Sequence, residues 1–542
     1  MSEQTPGTHG VNRRDLMRRA GAAGALVATG LALPLGRSVQ TSSVSLLPSN
    51  KMPKPFKAPF RRPPVLKPRA VTRDARGFYT QHYTVNERLG ATEIAPGIQT
   101  PVYGYNGIFP GPTIEVNRGV KTVVRVRNKL PNLHPDLGHS FATSTHLHGS
   151  ASAPQYDGYA NDITPPGFYK DYHYPNFQPA RTLWYHDHGV HHTAENAYSG
   201  LAGMYIIRDA AERALLPQGE FDVPLVINDV MLGADGRLAY DDNDHSGLWG
   251  DIILVNGVPW PKMKVKRRVY RFRVLNCSIA RSYRFRLSTG DPVTMVATDG
   301  GLMPVARRVD QWRHGGAERY EILIDFRRYK PGQRIELRNL SNDNNRDYSN
   351  TNRVMQFEVT DDAFSTVNNR IPTTLVPSAA TSLKPSQAKR SRYLRVHRSN
   401  SEWKINDQSW HDVVASGYTS VVSSPEINEV EIWDIENTSG GWFHPVHIHL
   451  VDFQIIGRNG RPPFDYERGP KDVVYVGEGE RVRLLMQFAH QRGKYMIHCH
   501  NLPHEDHDMM LQFSVGLKPG AIDPNDPIKA APPRRDTLPP NA

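Results

Sequence analysis

One cysteine stands between two histidines in the segment HCHNLPHEDHDMM, residues 498 to 510. His504 follows this cysteine by five residues, and Met509 follows it by ten. A thiolate, imidazoles and a distant thioether together suit copper in electron transfer, with the thioether as the weak axial ligand. The segment therefore predicts a copper site that includes Cys499, His504 and Met509.

The two histidines that flank Cys499 are expected to serve another metal site. If the backbone is extended here, the two-residue period of a strand sends His498 and His500 to the face opposite the thiol. They would then point away from the copper site of Cys499.

Three further histidine clusters supply ligands for that second site, namely HLHG at 146 to 149, WYHDH at 184 to 188 and HPVHIHL at 444 to 450. A His-x-His pair on a strand presents both imidazoles on one face, so one short segment can hold two adjacent metal ions. A single pair could equally be a polar strand pair, whereas four clusters favour a compact group of metal ions. The candidate ligands are His146, His148, His186, His188, His444, His447, His449, His498, His500 and His504.

The rest of the chain predicts an all-β fold. Its 542 residues leave room for three domains of ordinary size, and the 43 glycines and 43 prolines favour turns between strands. Residues 121 to 128, 269 to 276 and 320 to 326 have the alternation or the β-branched runs of strands, which is typical of β-sandwiches. One short buried helix is expected around Ala197 to Met204.

The net charge of +12 does not indicate a nucleic-acid surface, because nearly all of it lies in residues 1 to 40 and 51 to 73. The second of these segments is a proline-rich arm, and it is expected to be a solvated linker or a strap on the first domain. Binding of the arm to anionic cell-wall or membrane surfaces is a less favoured alternative.

Residues 1 to 40 resemble a twin-arginine signal peptide, with Arg13 and Arg14 ahead of an Ala/Gly/Leu run. The run is too short and too weakly apolar to predict a stable membrane span. The expected partner is the twin-arginine export machinery, and the expected location is periplasmic, cell-wall associated or extracellular. With Cys499 assigned to copper, Cys277 is the other cysteine, so no structural disulfide is expected.

The four histidine motifs resemble those of the multicopper oxidases, in the same order and over about residues 75 to 517. DGYANDIT, ARTLWYHDH, HPVHIHLVDF, KDVV and HCHNLPHEDHDMM look like the subgroup of bilirubin oxidases, with the spore-coat laccases nearby.

This resemblance implies three consecutive cupredoxin-like Greek-key β-sandwich domains. The expected organisation is a signal peptide at 1–40, a basic arm at 41–75, domains at 76–212, 213–365 and 393–517, a linker at 366–392 and a loosely ordered proline-rich tail at 518–542. The second metal site would lie between the first and third domains, because each of them contributes two of the four motifs.

The resemblance also implies four copper ions and their ligands. His444, Cys499, His504 and Met509 would hold the type 1 copper, and His146 and His447 the type 2 copper. The type 3 pair would be held by His148, His186, His188, His449, His498 and His500.

Three residues outside the ligand set are also implied in catalysis. Asp157 and Glu505 match acids that deliver protons in the family, although Glu505 could instead orient the ligand next to it. Trp442 could line the electron-entry site for a flat aromatic reductant, or it could be a packing residue.

Three functions are open at this point. The favoured one couples oxidation of bulky organic reductants, such as bilirubin, phenols or aminophenols, to reduction of dioxygen to water. The alternatives are a metallo-oxidase of Cu(I) or Mn(II), for which no methionine-rich run is present, and a non-enzymatic cupredoxin-fold envelope protein, which the complete ligand set disfavours.

Overall fold

The computed structural model describes residues 45–343, 345–376, 378–518 and 521–537, so the predicted signal peptide at 1–40 lies outside the described residues. The first part of the chain contains strands β1 (Ala70–Arg73), β2 (Tyr79–Ala95), β3 (Ile98–Tyr105), β4 (Gly111–Asn117), β5 (Lys121–Asn128), β6 (Thr145–His148), β7 (Phe168–Tyr174), β8 (Arg181–Asp187) and β9 (Ala202–Arg208).

The middle part contains β10 (Asp222–Val230), β11 (Ile252–Val255), β12 (Val258–Pro259), β13 (Lys262–Lys266), β14 (Val269–Asn276), β15 (Tyr283–Leu287), β16 (Val293–Thr298), β17 (Gly301–Val309), β18 (Trp312–His314), β19 (Arg319–Asp325), β20 (Arg334–Asn339) and β21 (Arg353–Thr360).

The last part contains β22 (Arg390–Ser399), β23 (Glu402–Ile405), β24 (Glu429–Asn437), β25 (His444–Ile448), β26 (Phe453–Arg458), β27 (Val473–Val476), β28 (Arg481–Phe488), β29 (Gly493–Cys499), β30 (Met510–Val515) and β31 (Arg534–Arg535). The α-helices of the described residues are α1 (Thr193–Ser199), α2 (Ala210–Leu215), α3 (Trp410–Ala415) and α4 (Leu502–Asp506).

Each part of the chain forms two sheets that face each other across an apolar core. In the first part, a sheet ordered β1-β2-β5-β7-β31, with β3 on β2 and with β31 contributed by the last part of the chain, faces the sheet β4-β9-β8-β6. The middle part pairs β12-β11-β10-β14-β19-β16-β17 with β13-β21-β20-β15-β18, and the last part pairs β23-β22-β24-β28-β26 with β27-β25-β29-β30. Val124 and Leu183 share the first core, and Trp433 and Phe513 share the last. The predicted all-β sandwich architecture is confirmed.

The histidine motifs lie on adjacent strands of the two four-stranded sheets. His146 on β6 is opposite His186 on β8, and His447 on β25 is opposite His498 on β29. This antiparallel pairing brings the HLHG and WYHDH motifs together in one sheet, and the HPVHIHL and HCH motifs together in the other.

The predicted helix around residues 197 to 204 is wrong in its extent. Helix α1 ends at Ser199, because Gly200 takes a φ of +133° that stops the helical turn. The residues from Ala202 onward are buried and form β9 between β4 and β8, so the hydrogen bonds of the sheet replace those of a helix.

The basic arm is a strap that lies across the first two parts of the chain. Its backbone pairs at Val65 with Thr113 and at Pro59 with Lys262, and the Arg61 side chain donates to the carbonyl of Asn256 at 3.0 Å. The strap interpretation is therefore correct, although its contacts reach beyond the first domain.

The expectation of a loosely ordered tail is wrong for residues 534 to 536. Strand β31 pairs with β7, and the Asp536 carboxylate accepts two hydrogen bonds from the Arg127 guanidinium, at 2.5 and 2.7 Å. A charged pair that is nearly buried outweighs the conformational freedom that a proline-rich composition suggests. Across the residues that the structure describes, no helix is long and apolar enough to cross a membrane.

Candidate metal centre

The structure buries all ten candidate ligand histidines, each at most 1% exposed. Burial alone lowers the pKa of an imidazole, because the charged form loses its hydration. The pKa is about 3 for His186 and His444 and about 4 for His188, and burial is the main cause in each case. These side chains are therefore neutral at pH 7, as a metal ligand must be.

One group of side chains surrounds the cysteine thiol. The Cys499 Sγ lies 3.3 Å from His444 Nδ1 and 3.7 Å from His504 Nδ1, and these two nitrogens are 3.2 Å apart. The ring nitrogens that point away from the sulfur have partners of their own. Ser439 Oγ lies 2.9 Å from His444 Nε2, and the Ser246 carbonyl accepts from His504 Nε2 at 3.1 Å. The inner nitrogens are thereby left as acceptors that face the sulfur.

Met509 is placed beside this group by its backbone. Its amide donates to the His504 carbonyl at 2.9 Å, and its carbonyl accepts from the Cys499 amide at 3.1 Å. Helix α4, which carries His504, makes the intervening turn. The thioether is fully buried.

The other eight histidines form a second group away from the thiol. His146 Nε2 and His447 Nε2 are 3.4 Å apart, and His498 Nε2 is 3.1 Å from both His188 Nε2 and His449 Nε2. His148, His186 and His500 make a further set of three. His498 and His500 thus lie in different sets, and neither belongs to the thiol group, as strand alternation predicts.

The hydrogen bonds of this second group fit metal ions. His447 Nδ1 donates to the Asp472 carbonyl at 2.8 Å, and His449 Nδ1 donates to the Asp157 carboxylate at 2.7 Å. A neutral imidazole has a single N–H, so the inner Nε2 atoms of these rings carry lone pairs. Lone pairs that face each other at 3.1 to 3.4 Å repel unless a cation lies between them.

Unpaired nitrogens point to the same conclusion for the third set. His148 Nδ1, His186 Nε2 and His500 Nε2 are buried without a hydrogen-bond partner. A buried polar atom without a partner costs free energy, and these three residues belong to one set of mutually close candidate ligands. The Cys499 thiol fits a metal as well, because burial raises its pKa and a thiolate there needs a cation.

Two buried carboxylates contact the histidine groups. Asp157 accepts from His449, and burial raises its pKa well above the ordinary value. Glu505 Oε2 lies 2.8 Å from His498 Nδ1, and Glu505 Oε1 lies 3.5 Å from His188 Nδ1. Burial would raise the pKa of Glu505, but these two histidines lower it to about 2.

Comparison with known proteins supplies the family. Two family models, both described as multicopper oxidase, match residues 88–212 and 382–518. Bilirubin oxidase from Albifimbria verrucaria is 40% identical over 490 residues, which cover 86% of this chain and 82% of that protein. This chain belongs to the multicopper oxidase family.

Further relatives agree with this membership. A laccase from Bacillus subtilis (strain 168) is 35% identical over 474 residues, covering 77% of this chain and 90% of the laccase. The crystal structure of a variant of the McoA multicopper oxidase from Aquifex aeolicus has a TM-score of 0.74 at 29% identity, covering 84% of this chain and all of that one. The three sandwiches are thus the cupredoxin-like domains of a multicopper oxidase, an oxidoreductase that binds copper and uses oxygen as electron acceptor.

Aromatic residues of this multicopper oxidase pack on His504. The Trp442 ring lies edge-on, with its centroid 5.9 Å from that of His504. The Trp403 ring stacks on the same imidazole at 3.7 Å, and its indole N–H donates to the His245 carbonyl at 2.8 Å. Sequence reasoning missed Trp403, because it lies on β23, far along the chain from every histidine motif.

Sequence reasoning also missed the role of Asp472. Its carboxylate lies 3.1 Å from His148 Nε2, and Arg319 donates two hydrogen bonds to it, at 2.7 and 2.5 Å. Its backbone carbonyl accepts from His447, so one residue orients candidate ligands from both four-stranded sheets. The KDVV segment, which was noted for its resemblance to the family, was the available signal.

Proposed function

We propose that this multicopper oxidase takes single electrons from bulky organic reductants, of the bilirubin, phenol and aminophenol class, and uses four of them to reduce dioxygen to water. Copper, when bound, supplies one-electron transfer at the thiol group and oxygen binding at the histidine group. The observation that carries the proposal is the position of Cys499 between two histidines that belong to different sets.

The ligand assignment is part of the proposal. His444, Cys499, His504 and Met509 would hold one type 1 copper, and His146 and His447 would hold one type 2 copper. Two type 3 coppers would be held by His148, His186 and His500 and by His188, His449 and His498. The converging nitrogens and the unpaired ring nitrogens support this division into four ions.

The polypeptide provides the connection between the two groups. His498, Cys499 and His500 are consecutive at the end of β29, so the peptide bonds on either side of the thiol lead directly to two sets of histidines. The sites are therefore linked by covalent bonds rather than by contacts through space.

Protons for water formation would pass through Asp157 and Glu505. Asp157 is buried, its pKa is raised, and its Oδ1 has no hydrogen-bond partner, so it can hold a proton beside His449. Glu505, whose pKa is lowered, remains ionised beside His498 and His188. It would orient these two histidines, and it would accept a proton only when the charge on the two histidines changes.

Electrons would enter beside Trp442. Its side chain is partly buried and contacts His504, so an aromatic reductant could stack near a ligand of the thiol group.

We also propose export by the twin-arginine route and the domain boundaries at 76–212, 213–365 and 393–517.

The test uses copper-loaded protein and separate reductants. About four coppers per chain, a strong blue absorption band and oxygen uptake with bilirubin or a phenol are expected. Uptake with manganous or cuprous ions alone would contradict the proposed reductant class, and a colourless protein without uptake would contradict the oxidase.

A further inference from the structure

Two imidazoles and a carboxylate meet at the surface, outside the buried histidine groups. The Asp242 Oδ2 lies 3.0 Å from His245 Nδ1 and 3.2 Å from His507 Nε2. The side chains of His245 and His507 are 40% and 37% exposed, so solvent and ions reach them. His507 comes from the turn after α4 and the other two come from the middle part of the chain.

The loop that carries His245 has an uncommon backbone. Asn243, Asp244 and His245 are consecutive and all left-handed, with φ of 53°, 56° and 62°. Such a run persists only where the surroundings fix it. The side-chain amide of Asn243 does so here, because it donates to the backbone carbonyls of Asp241 and Gly247. The loop therefore holds the imidazole of His245 in place against Asp242.

This surface cluster is connected to the thiol group on two sides. The residue after His245 is Ser246, whose carbonyl accepts from His504 Nε2, and the carbonyl of His245 itself accepts from Trp403. His507 lies three residues after His504, at the end of the same helical turn. The segment that carries His245 thus contacts His504, and the segment that carries His507 includes His504.

We propose that Asp242, His245 and His507 bind a divalent first-row transition-metal ion of the zinc class, and that binding of this ion alters the surroundings of His504. The second half of this proposal depends on the proposed role of His504 as a copper ligand, and the first half does not.

The spacing and kind of the donors support such an ion. Imidazole and carboxylate are the ligands that zinc takes in proteins, with bonds of about 2.0–2.2 Å. Ligands at the corners of a tetrahedron of that size lie about 3.3 Å apart, close to the two spacings from Asp242. The rings of His245 and His507 lie with their centroids 3.1 Å apart, so the partly exposed His507 ring has to turn for both nitrogens to face one ion. Three protein ligands leave a fourth position for water, as suits an exposed site.

The binding test is a calorimetric titration of Zn²⁺ into the copper-loaded enzyme. The surface cluster of His139, His192 and Glu195 could also bind zinc, so His192→Gln serves as a background in which this competing cluster is disrupted. In that background, Asp242→Asn and His245→Asn should each weaken Zn²⁺ binding by more than about tenfold, because loss of even an outer partner of a ligand costs roughly 10–100-fold. Asparagine tolerates the left-handed backbone of position 245.

The coupling is tested by the visible spectrum of the same samples. Zn²⁺ should shift the position or intensity of the blue band in the His192→Gln background, and the shift should be absent in Asp242→Asn. Equal Zn²⁺ affinity with and without Asp242→Asn would overturn the site. Binding that depends on Asp242 but leaves the blue band unchanged would overturn the coupling, and a protein that lacks the band before zinc is added would instead refute the proposed copper site.

Discussion

Each buried imidazole has two ring nitrogens, and the structure gives them separate roles. In His447 and His449 the outer nitrogen donates to a carbonyl or a carboxylate, which leaves the inner nitrogen as an acceptor. In His444 and His504 the same division directs Nδ1 toward Cys499. In these four histidines, the nitrogen that would bind copper is therefore selected by the hydrogen-bond partner of the other nitrogen and not by the place of the residue in a motif.

At the scale of single residues, Cys499→Ser should abolish the blue band and leave the fold intact, because a hydroxyl replaces the buried thiol without a change of shape. Since loss of an outer partner of a metal ligand already costs roughly 10–100-fold, oxygen uptake should fall by more than about 100-fold. The measurements are the visible spectrum, bound copper and oxygen uptake. Normal oxygen consumption by this variant would refute the ligand role of Cys499.

Asp157→Asn should slow oxygen reduction by roughly 10²- to 10⁴-fold, the usual contribution of a proton-transferring side chain. The amide is isosteric and accepts from His449 but carries no exchangeable acidic proton. Oxygen uptake should fall while bound copper and the blue band stay as in the wild type. A loss of copper in proportion to the loss of activity would show that Asp157 only orients its neighbours.

Trp442→Ala should raise KM for bilirubin about fivefold, since an aromatic contact contributes roughly 1 kcal/mol. A small inorganic reductant without an aromatic face, such as ferrocyanide, is the control and should keep its KM. If KM rises equally for both reductants, Trp442 is a packing residue.

At the scale of elements, antiparallel strand pairs set the metal centre. β6 and β8 bring His146 opposite His186, and β25 and β29 bring His447 opposite His498. The strand segments at 121 to 128 and 269 to 276 were predicted from the sequence and are confirmed, because alternation and β-branched runs act locally. The pairing of β31 with β7 was not predicted, because its partner is far away in the chain.

Removing the charge of Asp536 tests whether this last strand stabilises the fold. Asp536→Ala should lower the free energy of unfolding by roughly 2–4 kcal/mol, because Arg127 would lose its carboxylate in a nearly buried place. Denaturant unfolding measures the change, and copper content should be unaffected. Arg534 lies on the adjoining strand β31 and its side chain is exposed, so Arg534→Ala is the matched control, with an expected change within about 0.5 kcal/mol.

At the scale of the whole molecule, the first and last sandwiches supply the histidines of the two groups, and packing of the three parts of the chain buries all of them. Burial lowers the pKa of His186, His188 and His444 to between about 3 and about 4, below the value of about 6.5 in an unfolded chain. Two consequences with a definite sign follow for the dependence on pH.

Bound copper should be retained down to about pH 5, because protons compete for these nitrogens only as the pH approaches their folded-state pKa. Dialysis at pH 7.5, 6 and 5, followed by measurement of copper and of the blue band, tests this expectation. Loss of copper with a midpoint near pH 6.5 would contradict it. In the copper-free protein the unfolded chain takes up protons first, so these histidines destabilise the fold as pH falls from about 6.5 to about 4 for His188 and to about 3 for His186 and His444.

The sequence by itself determined the donor types, their order, the all-β fold and the likeness to one family, because strand patterns and ligand motifs are local. It also separated His498 and His500 from the thiol, since alternation along a strand needs no tertiary information. Only the tertiary structure decided which nitrogen of each ring is free, that Trp403 stacks on His504, and that Asp472 orients ligands from two sheets. These features arise where separate segments of the chain pack together, as Trp403 does with His504 and Asp472 does with His148, and a local sequence pattern carries no information about such contacts.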